Sequence, residues 1–271
     1  MESNVIKPSP IKVISEYKSP IRLLKGFNEI FFIEKSFLYL KEKRGLCFDL
    51  ADDYMLLWDF INIDGNIKED KTFFHNNNIV HIPPHIDSKF ISFVNICKSR
   101  FVAIPLILTF YKGNKRKSAH FNILIYDRYK KELYRYEPNG TCVSFYNSTR
   151  LEYYLEHEFI RLFPEGAIYI PITQSCSHEG LQRYESRCDR FTEEWRKRHG
   201  NVNVGFCQAW SMFLLDMRLK YPDIPSKDLE KQILSYFGRT HPWTMDIDEY
   251  MQTFIQEYAL HILGKEYKNI G

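Results

Sequence analysis

Residues 119–137 read AHFNILIYDRYKKELYRYE. Two runs rich in β-branched and aromatic residues, Ala119–Asp127 and Glu132–Glu137, flank a polar cluster, which is the composition of two antiparallel strands joined by a short turn. A four-residue turn over Asp127–Lys130, closed by Tyr126 opposite Lys131, puts His120 opposite Glu137. Directly opposed residues share a face, with Cβ atoms about 5 Å apart. At that distance a carboxylate accepts from an imidazole Nδ1–H, which fixes the tautomer and leaves Nε2 for another partner. Asn139, two residues further, falls on the same face beyond the strand's end and is the second candidate for that task.

Working outward, Phe101–Tyr111 is an apolar run of strand length, broken by Pro105, which an edge or bulge tolerates. It joins Ala119–Asp127 through the basic turn Lys112–Lys117, so three strands form a meander ending at the Pro138-Asn139-Gly140 turn. Helical spacing over Tyr153–Phe163 stops at Pro164, and Ala167–Thr173 reads as a short strand. Gln174–Asn203 is polar and irregular. Gly205-Phe206-Cys207 opens a helix whose stripe is Cys207, Trp210, Leu214, Met217 and Tyr221, and which stops at Pro222. Two amphipathic helices follow, over Ser226–Phe237 and Asp246–Leu263. Strands first and helices around them define an α+β class, with a central, mostly antiparallel sheet flanked by helices.

The first hundred residues are less regular. Residues 1–20 carry Pro8, Pro10 and Pro20 and read as a loose arm. Ile21–Leu57 is helical in places, with an apolar stripe over Ala51–Trp58. Asp64–Asn78 is a polar interruption, and His75–His85 reads as a loop. The expected division is an accessory, substrate-recognition region over residues 1–100 and a catalytic domain over residues 101–271.

Composition excludes more than it selects. Thirty-seven basic against 34 acidic residues leave a net charge of +3, so neither nucleic acid nor an anionic membrane is implied as a partner. There is no apolar signal segment and no run of the roughly 18 residues needed to span a bilayer, so a soluble, cytoplasmic chain is expected. Six scattered cysteines without a CxxC pair argue against a disulfide framework or structural zinc, and most are expected to be buried thiols. His81 and His85 are four apart, but Pro83 and Pro84 prevent the helix that would bring them together on a metal. No phosphate-binding loop or dinucleotide fingerprint is present, so no cofactor is expected. The Lys112–Lys117 tip is either solvated or a contact for an acidic partner.

The chemistry is concentrated at Cys207. A thiol in the first turn of a helix meets unpaired backbone N–H groups and the positive end of the helix dipole, both of which favour the thiolate. Gly205 lets the chain bend sharply into that helix. A thiol nucleophile needs a base, and the base an orienting group. His120 with Glu137 or Asn139 supplies both.

The order His120, Glu137 or Asn139, then Cys207 at a helix start resembles the SUMO-protease and adenovirus-protease clan of cysteine proteases over roughly residues 101–222. The segments Gly205-Phe206-Cys207-Gln208-Ala209-Trp210-Ser211 and Arg218-Leu219-Lys220-Tyr221-Pro222-Asp223 are similar to versions in large DNA viruses and some intracellular bacteria. The resemblance implies a papain-like, adenovirus-protease-like fold. It also implies cleavage of a peptide or isopeptide bond after a ubiquitin-like modifier tail, or at small-residue sites of a viral polyprotein, in a host cytoplasm or virion. It further implies a glutamine before the cysteine that helps the Cys207 backbone N–H hold an oxyanion. Gln182 in Gly180-Leu181-Gln182 is the expected residue, with Gln174 and Asn201 as alternatives.

Two positions depart from the family pattern. Phe121 stands where the clan has a tryptophan over the substrate tail, and Gln208 stands where a glycine usually follows the nucleophile. Two rival readings use the same scaffold: an acetyltransferase drawing on acetyl-CoA through the same thiol, which Glu137 suits, and a non-catalytic binding module.

Overall fold

Alternation decides the strands and which side of the sheet each residue covers. The computed structural model describes residues 29–47, 55–63, 65–75, 78–80, 88–141, 146–163, 165–186, 206–240 and 246–263. The chain enters through helix α1 (Glu29–Arg44) and strands β1 (Met55–Ile63), β2 (Asn66–His75) and β3 (Asn78–Val80). Helix α2 (Ser88–Ile96) then leads to β4 (Phe101–Lys112), β5 (Lys115–Asp127) and β6 (Glu132–Tyr136). Helix α3 (Thr149–His157), a 3₁₀ turn (Phe159–Leu162) and β7 (Ile168–Ile170) follow. The short helices α4 (Ile172–Ser175) and α5 (Leu181–Ser186) precede α6 (Cys207–Lys220), α7 (Ser226–Thr240) and α8 (Ile247–Leu263).

One seven-stranded sheet runs β3-β2-β1-β4-β5-β6-β7. Four of its pairings are antiparallel, and β1–β4 and β6–β7 are parallel. The α+β class and the β4–β5–β6 meander therefore stand as read from the sequence.

Helices cover both faces. On one face Phe101, Ala103, Phe121, Ile123, Ile125, Tyr134 and Tyr136 join a core built with α1, α6, α7 and α8. On the other, Leu56, Trp58, Phe60, Leu106, Leu108, Leu124 and Leu133 pack with α2, α3 and the 3₁₀ turn. Helix α6 is enclosed almost all round, since Cys207 through Arg218 are buried, and a helix apolar on all sides belongs in a core. That accounts for a stripe broader than the five residues the spacing picks out.

Four expectations about the first hundred residues and the cysteines change. Leu56, Trp58 and Phe60 are buried while their neighbours are half-exposed, so the stripe at 51–58 belongs to a strand rather than a helix over its described part. The polar stretch after it forms β2; its Lys68, Glu69, Asp70 and Lys71 carry no apolar alternation to read, and pairing with β1 holds it. A boundary at residue 100 has no counterpart in the sheet, because β1 pairs along β4 from Leu56↔Leu106 to Asn62↔Lys112. Helix α1 packs in the same core as α6. Cys47 and Cys97 form a disulfide with Cα atoms 5.8 Å apart, whereas Cys176 and Cys207 are buried free thiols.

Pro105 lies in a central strand, one residue before the pairing with β1 begins, where its missing N–H is tolerated. No helix among the described residues is long and apolar enough to cross a membrane. Gly205, Asn201, His81 and His85, named above, lie outside the described residues.

Candidate active site

The β5–β6 turn is four residues long, but it spans Arg128–Lys131, with Asp127 closing opposite Glu132. The register differs from the expected one by two positions: continued past Tyr136, it sets Asn122 against Glu137 and His120 against Asn139. A two-residue slip preserves the face, because side chains alternate with period two. His120, Asn122 and Glu137 therefore still converge. The turn residue Lys131 takes a positive φ of 56°, which no composition signal marked.

Glu137 is fully buried, and four donors meet its two oxygens. His120 Nε2 lies 2.6 Å from Oε1, which also accepts from the Asn139 backbone N–H at 3.0 Å. Oε2 accepts from Asn122 Nδ2 at 3.0 Å and from the Tyr146 hydroxyl at 2.5 Å. Asn139 Nδ2 is 3.5 Å from His120 Nε2, a longer contact on the same nitrogen. Glu137 is thus the closer orienting group, and Asn139 supports it through its main chain.

The Cys207 side chain is close enough to the His120 ring to contribute to its protonation balance. Since Nε2 is committed to Glu137, the nitrogen left for sulfur is Nδ1, which reverses the expected assignment of the ring. Charge follows this geometry. Burial by itself disfavours the imidazolium, but the Glu137 carboxylate and the hydrogen bonds to Cys207 and Glu137 outweigh it and lift the pKa to about 10. Burial likewise disfavours the Glu137 carboxylate, yet the charge and hydrogen bond of His120, with Arg135 and Tyr146 behind, hold it down to about 2. The pair rests as imidazolium and carboxylate.

Two elements on opposite sides of the sheet meet here. His120 alternates onto the face of Leu106 and Leu108, whereas α6 packs against Phe121 and Ile123 on the other. Strand β6 ends at Tyr136 and pairs with β5 only from Ile123 onward, so no β6 residue closes the sheet beside His120. The Cys207 side chain and the His120 ring nonetheless interact. Cys207 and His120 are 5% and 6% exposed, so both are buried rather than surface groups. The residue before α6, Phe206, makes no side-chain capping bond, and the helix's first turn holds no acidic residue.

The segment holding Gln182 is docked by main-chain contacts. Gln182 N donates to Pro138 O at 2.9 Å, Gly180 N to Asn139 O at 3.1 Å, and Thr141 N to Ser177 O at 3.0 Å. Gly140 (φ 78°) and Gly180 lie back to back, and a Cβ on either would overlap the other's backbone. Buried Glu230 fastens the same segment by accepting from Ser177 N at 2.7 Å. Gln182 is therefore carried beside the Glu137–Asn139 turn, with a buried Oε1 that meets no hydrogen-bond donor among the described residues. Gln174 is exposed on α4. Phe121 is 2% exposed in the core on the α6 face, so it is not an open aromatic surface for a substrate tail.

Sequence reading missed several supporting residues. Asn122 is a fully buried polar residue between Phe121 and Ile123, and its interruption of an apolar strand was the available signal. Tyr146 follows an irregular stretch and gave none. Arg135, also fully buried, lies 2.7 Å from Glu152 as a charge contact and donates to the Tyr146 hydroxyl at 3.3 Å, placing a cation behind Glu137. Cys176 Sγ approaches the Glu137 backbone N–H at 3.5 Å; burial pushes its thiol up to about 12, the behaviour of an inert packing thiol. Among the described residues no group of His, Cys, Asp and Glu could hold a metal ion.

Comparisons with known proteins add one relative. The chain is 26% identical over 194 residues to a protein of Acanthamoeba polyphaga mimivirus described as an ankyrin repeat protein. The match covers 69% of this chain and 24% of the relative, so the chain spans about a quarter of that protein's length. Ankyrin repeats are helix pairs with a period of about 33 residues, which is not the architecture of the described residues. No family model matches the chain, and no solved structure matches it.

Proposed function

We propose that this chain is a thiol protease of the adenovirus-protease and SUMO-protease type, with a papain-like arrangement of helix, sheet and cleft. The observation that carries the reading is the linked set Cys207–His120–Glu137: a thiol at an uncapped helix start, interacting with an imidazole whose far nitrogen is held 2.6 Å from a buried carboxylate. A nucleophile, a base and an orienting group in that order are what acyl transfer through sulfur requires.

In this mechanism the Cys207 thiolate attacks the scissile carbonyl carbon. As the C–S bond forms, the carbonyl π pair moves to oxygen, and the Cys207 backbone N–H with a side-chain amide stabilises that charge. The pair then returns, the C–N bond breaks, and the departing nitrogen takes the His120 proton. Water attacks the thioester while His120 receives its proton, and Cys207 is released. Glu137 keeps the imidazolium favourable throughout without itself becoming protonated. No step needs a metal or cofactor. The substrate is a protein: a ubiquitin-like modifier conjugate or a viral polyprotein, acted on in a host cytoplasm or virion. The mimivirus relative fits a viral setting. The part before residue 101 contributes recognition.

The acetyltransferase reading keeps the same thiol and is favoured by one observation, that a glutamate rather than an amide sits closest to His120. A panel of ubiquitin, SUMO and related modifiers carrying C-terminal propargylamide, run beside acetyl-CoA, separates the two. We expect one modifier probe to label the native protein and not Cys207→Ala. An acetyl thioester on Cys207 with no probe labelling would transfer the assignment to acetyl transfer, and an activity surviving in Cys207→Ala would end both.

A further inference from the structure

The residue after the nucleophile is a glutamine whose side chain folds back onto the sulfur. The Cys207 thiol donates to Gln208 Oε1 at 3.4 Å, and Gln208 is buried, 5% exposed, at the second position of α6. A buried, flexible amide beside the reacting sulfur has a short list of uses. It is not needed to fill the core, because an apolar side chain does so without desolvating an amide. It cannot act as a base. It can hold the thiol proton at rest, and after a half-turn of its terminal torsion it presents Nε2–H to the same place.

From this geometry we infer that Gln208 supplies the side-chain donor to the oxyanion, a role that the resemblance assigns to a glutamine upstream. The inference rests on the thiol-protease reading above. An acyl carbon bonded to Sγ carries its oxygen within one further bond of the sulfur, inside the reach of an amide that already contacts Sγ. The Cys207 backbone N–H lies at the same helix start, so both donors sit at one end of α6 beside the sulfur. Loss of the Cys207 proton to solvent, which the neighbouring imidazolium favours, removes the proton that Oε1 accepts, leaves oxygen facing negative charge, and favours the turned amide. Attack forms the C–S bond and places the former π pair on oxygen; Gln208 Nε2–H donates to it without transferring its proton, and releases it when the pair returns and the C–N bond breaks. Gln182, held by its main chain at the Pro138 turn, then serves the packing of that turn rather than the reacting oxygen.

The test needs no knowledge of the natural substrate. Purified full-length protein is reacted with p-nitrophenyl acetate, whose acyl transfer passes through an oxyanion, and separately with iodoacetamide, whose displacement does not. The rate seen in Cys207→Ala is subtracted from each. In Gln208→Met, similar in length and lacking the donor, we expect the acylation rate to fall about a hundredfold relative to alkylation, while Gln182→Met keeps the native ratio. An unchanged ratio in Gln208→Met, or a fall confined to Gln182→Met, overturns the inference. If Gln208→Met perturbs folding, Gln208→Glu, which keeps shape and removes the donor, must give the same fall. A native Cys207 no more reactive than a free thiol toward both reagents would instead defeat the thiol-protease reading itself.

Discussion

His120 Nε2 lies 2.6 Å from Oε1 of Glu137, a carboxylate with no solvent exposure whose other oxygen is held by Asn122 and Tyr146. A buried carboxylate is costly unless its acceptors are filled. Here a backbone N–H, an amide, a phenol and an imidazole fill them, and the imidazole is the member that also reaches Cys207. The ring is fixed by surroundings that are themselves fixed, which is the condition for a competent base.

Glu137→Gln preserves shape but removes the charge that supports an imidazolium. We expect it to lower kcat/KM toward whichever modifier probe or peptide the native protein accepts by about 10²–10⁴-fold, the range of general acid–base contributions. Asn139→Ala breaks only a 3.5 Å contact and keeps the backbone N–H, so its loss should stay within about tenfold. Equal losses in the two variants would contradict the ranking of Glu137 over Asn139.

Stability should depend on pH through the same pair. The folded His120 value of about 10 exceeds its ordinary 6.5, so its contribution is complete below pH 6.5 and disappears as pH rises through 10. The folded Glu137 value of about 2 lies below its ordinary 4.5, so its contribution is present above pH 4.5 and is lost as pH falls through 2. Urea midpoints measured across pH should decline on both flanks, and Glu137→Gln should flatten both declines. A variant with the native profile would show that the two groups are not paired.

Asp127 tests the fold independently of the site. It is fully buried, with Arg100 at 3.0 and 3.1 Å and Arg218 at 3.4 Å, and Arg218 is 1% exposed. Asp127→Asn leaves buried Arg218 short of a counter-charge and half-buried Arg100 with Asp223 alone, and we expect a loss of about 3 kcal/mol in chemical denaturation. Seven positions along β5 from His120, roughly 23 Å at strand rise, it should leave the activity of the folded fraction unchanged. A selective loss of activity without loss of stability would contradict this.

The legible parts were those with strong local patterning. Ala119–Asp127 is predicted as a strand and lies within β5, because alternation and a polar turn constrain it from both ends. Cys207 is predicted at a helix start and opens α6. The polar β2 was not legible, since pairing rather than its own side chains makes it a strand. The register was missed because turn position, not hydrophobic pattern, chooses between slips of two; the candidate pair survived because such a slip leaves the face unchanged.

By itself, the sequence determined which residues are candidates for chemistry and which face of β5 His120 occupies, because side-chain identity and the period of a strand are local properties. Only the tertiary structure decided that β6 stops short of His120, that Cys207, on a helix packed against the opposite face, interacts with that ring, and that Gln208 folds onto its sulfur. Of those relations, the one between Cys207 and His120 joins segments more than eighty residues apart. They are set by packing on two sides of one sheet, which no local pattern encodes.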